Sequence, residues 1–152
     1  MPGYTENRIL IHRDYEHVFD LTNRIDLWPN LFTEYQAAEI LEKKDNELLF
    51  RLTTFPEGER PSRTWMSRRI MNKSEGYATA VRLDPLFPFA YMKIRWEYEK
   101  LPSDTAVLMT WIQEFEVSPE CQFSEVQMES FLNHNTHMQI KAVKNAVEAW
   151  RL

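Results

Sequence analysis

Apolar and polar residues alternate along most of this chain and change to helical spacing only near its end. Residues 7–12 read as a first short strand around Ile9, Leu10 and Ile11, and Asp14 stands where a helix over 15–22 needs a cap for its open N–H groups. A second helical piece is expected at 28–32, where Pro29 suits a first turn that has no use for its missing N–H. Residues 37–42 and 47–55 flank Lys43-Lys44-Asp45-Asn46 and predict a hairpin. Further strands follow at 62–71, 77–83, 89–98 and 105–115, with turn formers gathered at 56–61, 84–88 and 100–104. From 123 to 150 there is neither Gly nor Pro, and Leu132, Thr136, Ile140, Val143 and Val147 form one stripe while Lys141, Lys144, Glu148 and Arg151 lie mostly elsewhere. This order predicts one α+β domain over residues 1–152: a curved seven-stranded antiparallel sheet, two short helices, and a C-terminal helix of about 40 Å around which the sheet wraps.

Strand parity sorts the residues between the two faces of that sheet. Arg63, Trp65, Ser67 and Arg69 share a face, an odd set for a plain core because it mixes an indole with a hydroxyl and guanidinium groups. Met92, Ile94, Trp96 and Tyr98 form an apolar face opposed by Lys93, Arg95 and Glu97, and on the last strand Gln113 points with Met109, Trp111 and Phe115. Two readings stay open. Either the rings fill an ordinary core and Arg69 pairs with a surface acid, or they line a cavity where Arg69 meets a ligand carbonyl or enolate.

Composition narrows the chemistry. Five Trp, six Tyr and nine Phe in 152 residues make an aromatic interior, while three Gly leave little for phosphate-cradling loops. The net charge of −5 argues against nucleic acid as a partner. Cys121 is the one cysteine, which allows no intrachain disulfide and no zinc cluster, and a reducing cytoplasm is expected. No stretch is long and apolar enough to predict a membrane span or an export signal. His12, His17, His134 and His137 read as surface residues, and Asp20, Glu34 and Glu39 as solvated or capping charges. Cys121 has no evident partner base.

Several segments resemble the monodomain aromatase/cyclases of bacterial type II polyketide synthesis, of the tetracenomycin and spore-pigment type. They are 18–35 with Trp28-Pro29 and Tyr35, Trp65-Met66-Ser67-Arg68-Arg69, 88–98, Trp111-Ile112-Gln113-Glu114-Phe115, and 128–133, in the family's order over nearly the whole chain. The resemblance implies a helix-grip fold of the START and Bet v 1-like class. It implies closure and aromatisation of a ring in a poly-β-ketone borne by an acyl carrier protein and supplied by a ketosynthase and chain-length factor. C9–C14 is the first closure expected and C7–C12 the other, without metal, flavin or nicotinamide, in a monomer or homodimer. A carrier or sensor of a lipid, quinone or pigment is the competing function for such a fold.

By the same resemblance the catalytic group comprises Arg69, Tyr35 and Ser67. The lining comprises Trp28, Phe32, Trp65, Trp96, Trp111 and Asn133, and Met92 and Gln113 join it by strand parity. Arg63 departs from the pattern, since a tryptophan is expected two residues before Trp65. An acidic carrier would meet this acidic chain through a local basic patch, expected among Arg63, Arg68, Lys93 and Arg95.

Overall fold

The computed structural model describes residues 2–151. β1 (Gly3–Ile11) leads to α1 (Tyr15–Thr22), and a 3-10 turn at Ile25–Leu27 runs directly into α2 (Trp28–Leu31). Six strands follow, β2 (Tyr35–Lys44), β3 (Glu47–Thr54), β4 (Thr64–Asn72), β5 (Tyr77–Arg82), β6 (Phe89–Lys100) and β7 (Val107–Val117), and α3 (Glu125–Ala149) ends the chain. They form one antiparallel seven-stranded sheet in the order β1-β7-β6-β5-β4-β3-β2, so the first strand pairs with the last. α3 lies along β1 and β7 and against α1 and α2, which closes the concave side. No helix among the described residues is long and apolar enough to cross a membrane.

α1 spans the predicted residues, while α2 ends one residue earlier and α3 runs two residues shorter at its start and one at its end, and the caps explain the limits of α1 and α3. Asp14 Oδ2 accepts from the His17 N–H at 3.1 Å, and at α3 Ser124 and Gln127 satisfy each other's backbone N–H groups with their side chains. Arg13 closes the other end of α3 by donating to the carbonyls of Val147 and Trp150, a cation at the negative end of the helix dipole. The stripe behaves as predicted, with Thr136, Ile140, Val143 and Val147 buried and Leu132 packed at its edge.

Two strand features were not visible in the alternation of residues. β1 starts at Gly3, earlier than predicted, because its inward positions there are Gly3 against the Phe115 ring and Thr5 beside Gln113, neither of which reads as an apolar face. A register shift between Phe89 and Tyr91 in β6 turns Phe89 to the same side as Met92 although they are three residues apart.

The β4–β5 hairpin carries the site, and its turn is tight. Gly76 sits at φ +79, and a Cβ there would come within 2.9 Å of the Tyr98 carbonyl oxygen. Gly76→Ala is therefore expected to cost about 2 kcal/mol, seen as a lower denaturant midpoint with an unchanged slope.

Candidate active site on the concave face

Along the inner face of β4 exposure falls steadily toward the centre of the fold. Arg63 is exposed, Trp65 half-buried, Ser67 4% exposed and Arg69 1% exposed. At about 3.3 Å per residue the descent covers roughly 20 Å. The Arg63 end is thus the rim and Arg69 the floor.

Arg69 is among the largest fully buried side chains, and no carboxylate forms an ion pair with it among the described residues. Its Nε donates to Asn23 Oδ1 at 2.9 Å, and its guanidinium lies over Trp96 at 4.2 Å and near Trp28 at 5.4 Å. Cation–π contacts of about 2 kcal/mol and the carbonyl-rich end of α1 offset part of the several kcal/mol that burying such a charge costs. Burial still pulls its pKa below the usual arginine value, with Tyr98 and Tyr35 opposing. Nη2 is buried with no hydrogen-bond partner among the described residues.

The end of α1 is the bracket that holds this arginine. Asn23 follows the last helical turn, its Nδ2 donates to the Phe19 carbonyl at 2.8 Å and to Tyr98 Oη at 3.2 Å, and its Oδ1 is left for Arg69. Thr22 Oγ1 shares a 2.8 Å hydrogen bond with Tyr98 Oη, and Trp28 Nε1 donates to the Thr22 carbonyl at 3.0 Å. Arg69, Tyr98 and Trp28 are thereby fixed from one short stretch of chain.

Around the guanidinium the rings touch one another. Trp28 stacks on Tyr35 at 5.9 Å and on Trp96 at 5.6 Å, Trp96 meets Trp111 at 5.3 Å, Phe32 meets Trp111 at 5.7 Å, and Tyr35 meets Trp65 edge-on at 6.3 Å. Ring contacts occupy the space expected to be a cavity, and two surface depressions lie elsewhere, beside Arg13 and Trp150 and beside Lys43 and Arg68. Two indole N–H groups, those of Trp96 and Trp111, are buried and unpartnered among the described residues, as is Arg69 Nη2. Three donors without acceptors inside one aromatic cluster are unusual for a finished core.

Of the residues singled out from sequence, Arg69, Tyr35, Ser67, Trp28, Phe32, Trp65, Trp96 and Trp111 converge here. Gln113 is buried on the same side, but its Oε1 already accepts from Thr5 and Thr136, so it ties β1, β7 and α3 together. Met92 belongs instead to a second cluster with Phe89, Phe115, Val117 and Met128. Asn133 departs from expectation: it lies one position off the inward stripe, exposed, with its Oδ1 accepting from Asn7 Nδ2. Arg68 and Arg95 face outward and are each held by their own carboxylate, Glu47 and Glu97, while Lys93 is exposed near Tyr91.

Sequence reasoning missed Asn23, Tyr98, Glu34 and Arg82. Strand parity puts Tyr98 on the inner face only as an apolar residue. Glu34, read as a solvated or capping charge, is half-buried beside Tyr35 and accepts from Asn135 Nδ2 at 3.0 Å. Burial lifts its carboxyl above the usual range, with Asn135 opposing, and burial together with the Glu34 charge pushes the Tyr35 phenol well above its ordinary value. Arg82 ends β5 opposite Ser67, and the Ser67 pairing is the parity that turns it inward toward Trp65, 4.3 Å from the ring centre.

Residues 11–144 match the family described as polyketide cyclase / dehydrase and lipid transport. A Streptomyces cyaneus protein named "Putative polyketide cyclase" is 34% identical over 97% of this chain and 95% of its own. One of the same name from Streptomyces halstedii is 41% identical over 74% of this chain and 100% of its own. The crystal structure of the Zhui aromatase/cyclase from Streptomyces sp. R1128 superposes with a TM-score of 0.81 at 16% identity, covering 97% of this chain and 92% of that one.

Proposed function

The chain belongs to the polyketide cyclase / dehydrase and lipid transport family, and on that premise we propose that it folds a carrier-bound poly-β-ketone and closes its first ring by aldol addition and loss of water, with C9–C14 as the closure. The observation that carries this reading is the buried Arg69 guanidinium with one nitrogen unpartnered among aromatic rings. A carbon between two carbonyls loses a proton, the resulting enolate carbon bonds to a distant ketone carbon, and the ketone oxygen becomes an alkoxide. Arg69 is suited to hold the enolate and alkoxide oxygens, because its fork of donors is already positioned and little water competes for it. No metal or redox cofactor enters these steps.

Tyr35 acts in this scheme as a proton donor to the alkoxide. Its phenol, held well above its ordinary value, stays protonated at any working pH and is a poor base. Glu34 is the better base, since a carboxyl lifted by burial has more affinity for the carbon acid's proton. Ser67, between Trp65 and Arg69 on the same face, orients the chain's oxygens. The tryptophans select planar, partly aromatised chains by stacking, which requires them to part as the substrate enters. A passive lipid carrier would be served by an apolar lining, which is why Arg69 weighs toward chemistry.

Reconstitution with a minimal ketosynthase, chain-length factor and carrier protein tests the reading by product. A C9–C14 ring supports it, and a product mixture identical to that made without this chain refutes it. The pH profile gives a second check. Activity is expected to fall as pH drops through the raised Glu34 value, because the protonated acid no longer accepts a proton. In Glu34→Gln that acid limb should disappear along with most of the rate, about a hundredfold.

A further inference from the structure

Arg63 and Arg82 share one indole. Their guanidinium carbons lie 5.9 Å and 4.3 Å from the Trp65 ring centre, at the rim where β4 begins and β5 ends. Arg82 spends two donors on the carbonyls of Pro85 and Phe87, which orient its fork, and Arg60 from the neighbouring loop lies over Phe131 of α3 at 5.4 Å. Arg8, Arg24, Arg51, Arg68 and Arg95 each hold a carboxylate, but among the described residues no carboxylate forms an ion pair with Arg60, Arg63 or Arg82. Acid outnumbers base in this chain, 23 residues to 18, so the unpaired cluster does not come from a shortage of acid. Glu34, beside Tyr35, has its carboxylate engaged by Asn135, and Glu57 faces Arg60 across a tight turn without forming an ion pair with it among the described residues.

Two cations close enough to repel, on a half-buried aromatic platform, form a receptor for one anion. Burial and the Arg63 charge together lower the Arg82 pKa to about 10, the mark of a guanidinium whose charge is not fully compensated in the free protein. Guanidinium forks match the oxygens of a phosphate better than those of a point anion. Trp65, the indole that both arginines share, stands about 13 Å along β4 from Arg69, so a group bound over it must be joined to the reacting ketones by a thin, uncharged connector. The pantetheine arm of a carrier protein has that form, with amides along its length and a single phosphodiester where it leaves the carrier.

We propose that Arg63 and Arg82, over Trp65, bind the phosphodiester of the carrier's pantetheine arm and so set how deep the chain reaches. The assignment rests on the cyclase reading above. Of the basic residues expected to meet the carrier it keeps Arg63, adds Arg82, and leaves out Arg68 and Arg95, which are already paired on the outer sheet face.

The test is binding, kept apart from product formation. Pantetheine and pantetheine capped as a methyl phosphodiester are titrated against the full chain with tryptophan fluorescence as the readout. The capped arm should bind about tenfold tighter, the size of a charge-assisted contact, and in Arg63→Ala that ratio should fall toward one. Arg82→Lys, which keeps the charge and loses the fork, should also lower it. Equal binding of the two arms, failure of the capped arm to bind at millimolar concentration, or a ratio that survives both substitutions overturns the proposal. Inorganic phosphate that competes as well as the capped arm would assign the site to a free anion and overturn the assignment to the arm. Loss of ring closure with the binding ratio intact would count against the cyclase reading and leave this site standing.

Discussion

Arg69→Ala is expected to lower regioselective ring closure by about 100- to 1,000-fold, the range for removing a preorganised oxyanion donor, while the chain still folds. The argument is one of asymmetry. A buried guanidinium with one side-chain hydrogen bond and no ion pair among the described residues contributes little to stability, because its desolvation cost roughly cancels its contacts. Its loss should leave the melting temperature within a few degrees of the parent's, with Asn23 Oδ1 losing its partner as the main penalty. Arg69→Met, which keeps most of the volume, should be at least as stable as the alanine variant and equally defective. Product profiles from the reconstituted synthase and thermal unfolding by circular dichroism check both halves. A folded variant whose products match the parent's would make Arg69 a structural residue, and an unfolded one would show that the bracket around it is essential to the fold.

Trp28→Ala should be among the most destabilising single changes available, costing about 3–5 kcal/mol. Its ring touches Phe32, Tyr35, Phe50 and Trp96, and its N–H closes the turn after α1 through the Thr22 carbonyl. Removing it opens a space in the densest part of the aromatic cluster, loosens Tyr35 and Arg69 together, and leaves the Thr22 carbonyl without that donor. Urea or guanidinium unfolding gives the number directly. A cost near 1 kcal/mol would mean that the rings around Trp28 close over the gap, and that the cluster is soft enough to open for a substrate at little expense.

Sequence periodicity was enough for the element order, for α1 to the residue, and for the inward set on β4, because alternation and caps are local properties. The family was legible too, through motifs such as Trp65-Met66-Ser67-Arg68-Arg69 and the Trp28-Pro29 segment. What could not be read was anything decided by partners distant in sequence. Asn23 looks like an ordinary helix end until Arg69, 46 residues later, is found against it. Glu34 reads as a surface acid because the Asn135 amide that holds it lies 101 residues away. Asn133 was assigned through the resemblance alone, and in this fold its side chain is exposed and held by Asn7. Arg82 was within reach: pairing β5 against Ser67 would have turned it inward, but the register of that hairpin depends on where Gly76 places the turn.

The pairing of Gly3 with Phe115 and of Ile11 with Val107 bears on how the protein comes into being. Strands β2 to β6 join through successive hairpins and can form one after another as the chain leaves the ribosome, whereas β1, the first to emerge, must wait for β7. Until then the inward side of β6, with Trp96 and Tyr98, has no neighbour on one flank, and α3 has no β1–β7 surface on which to settle. Closing so long a loop is entropically expensive and slows folding. The nascent chain therefore carries its aromatic lining exposed for most of synthesis, and a heterologous host should yield more soluble protein when translation is slowed or a holdase is supplied.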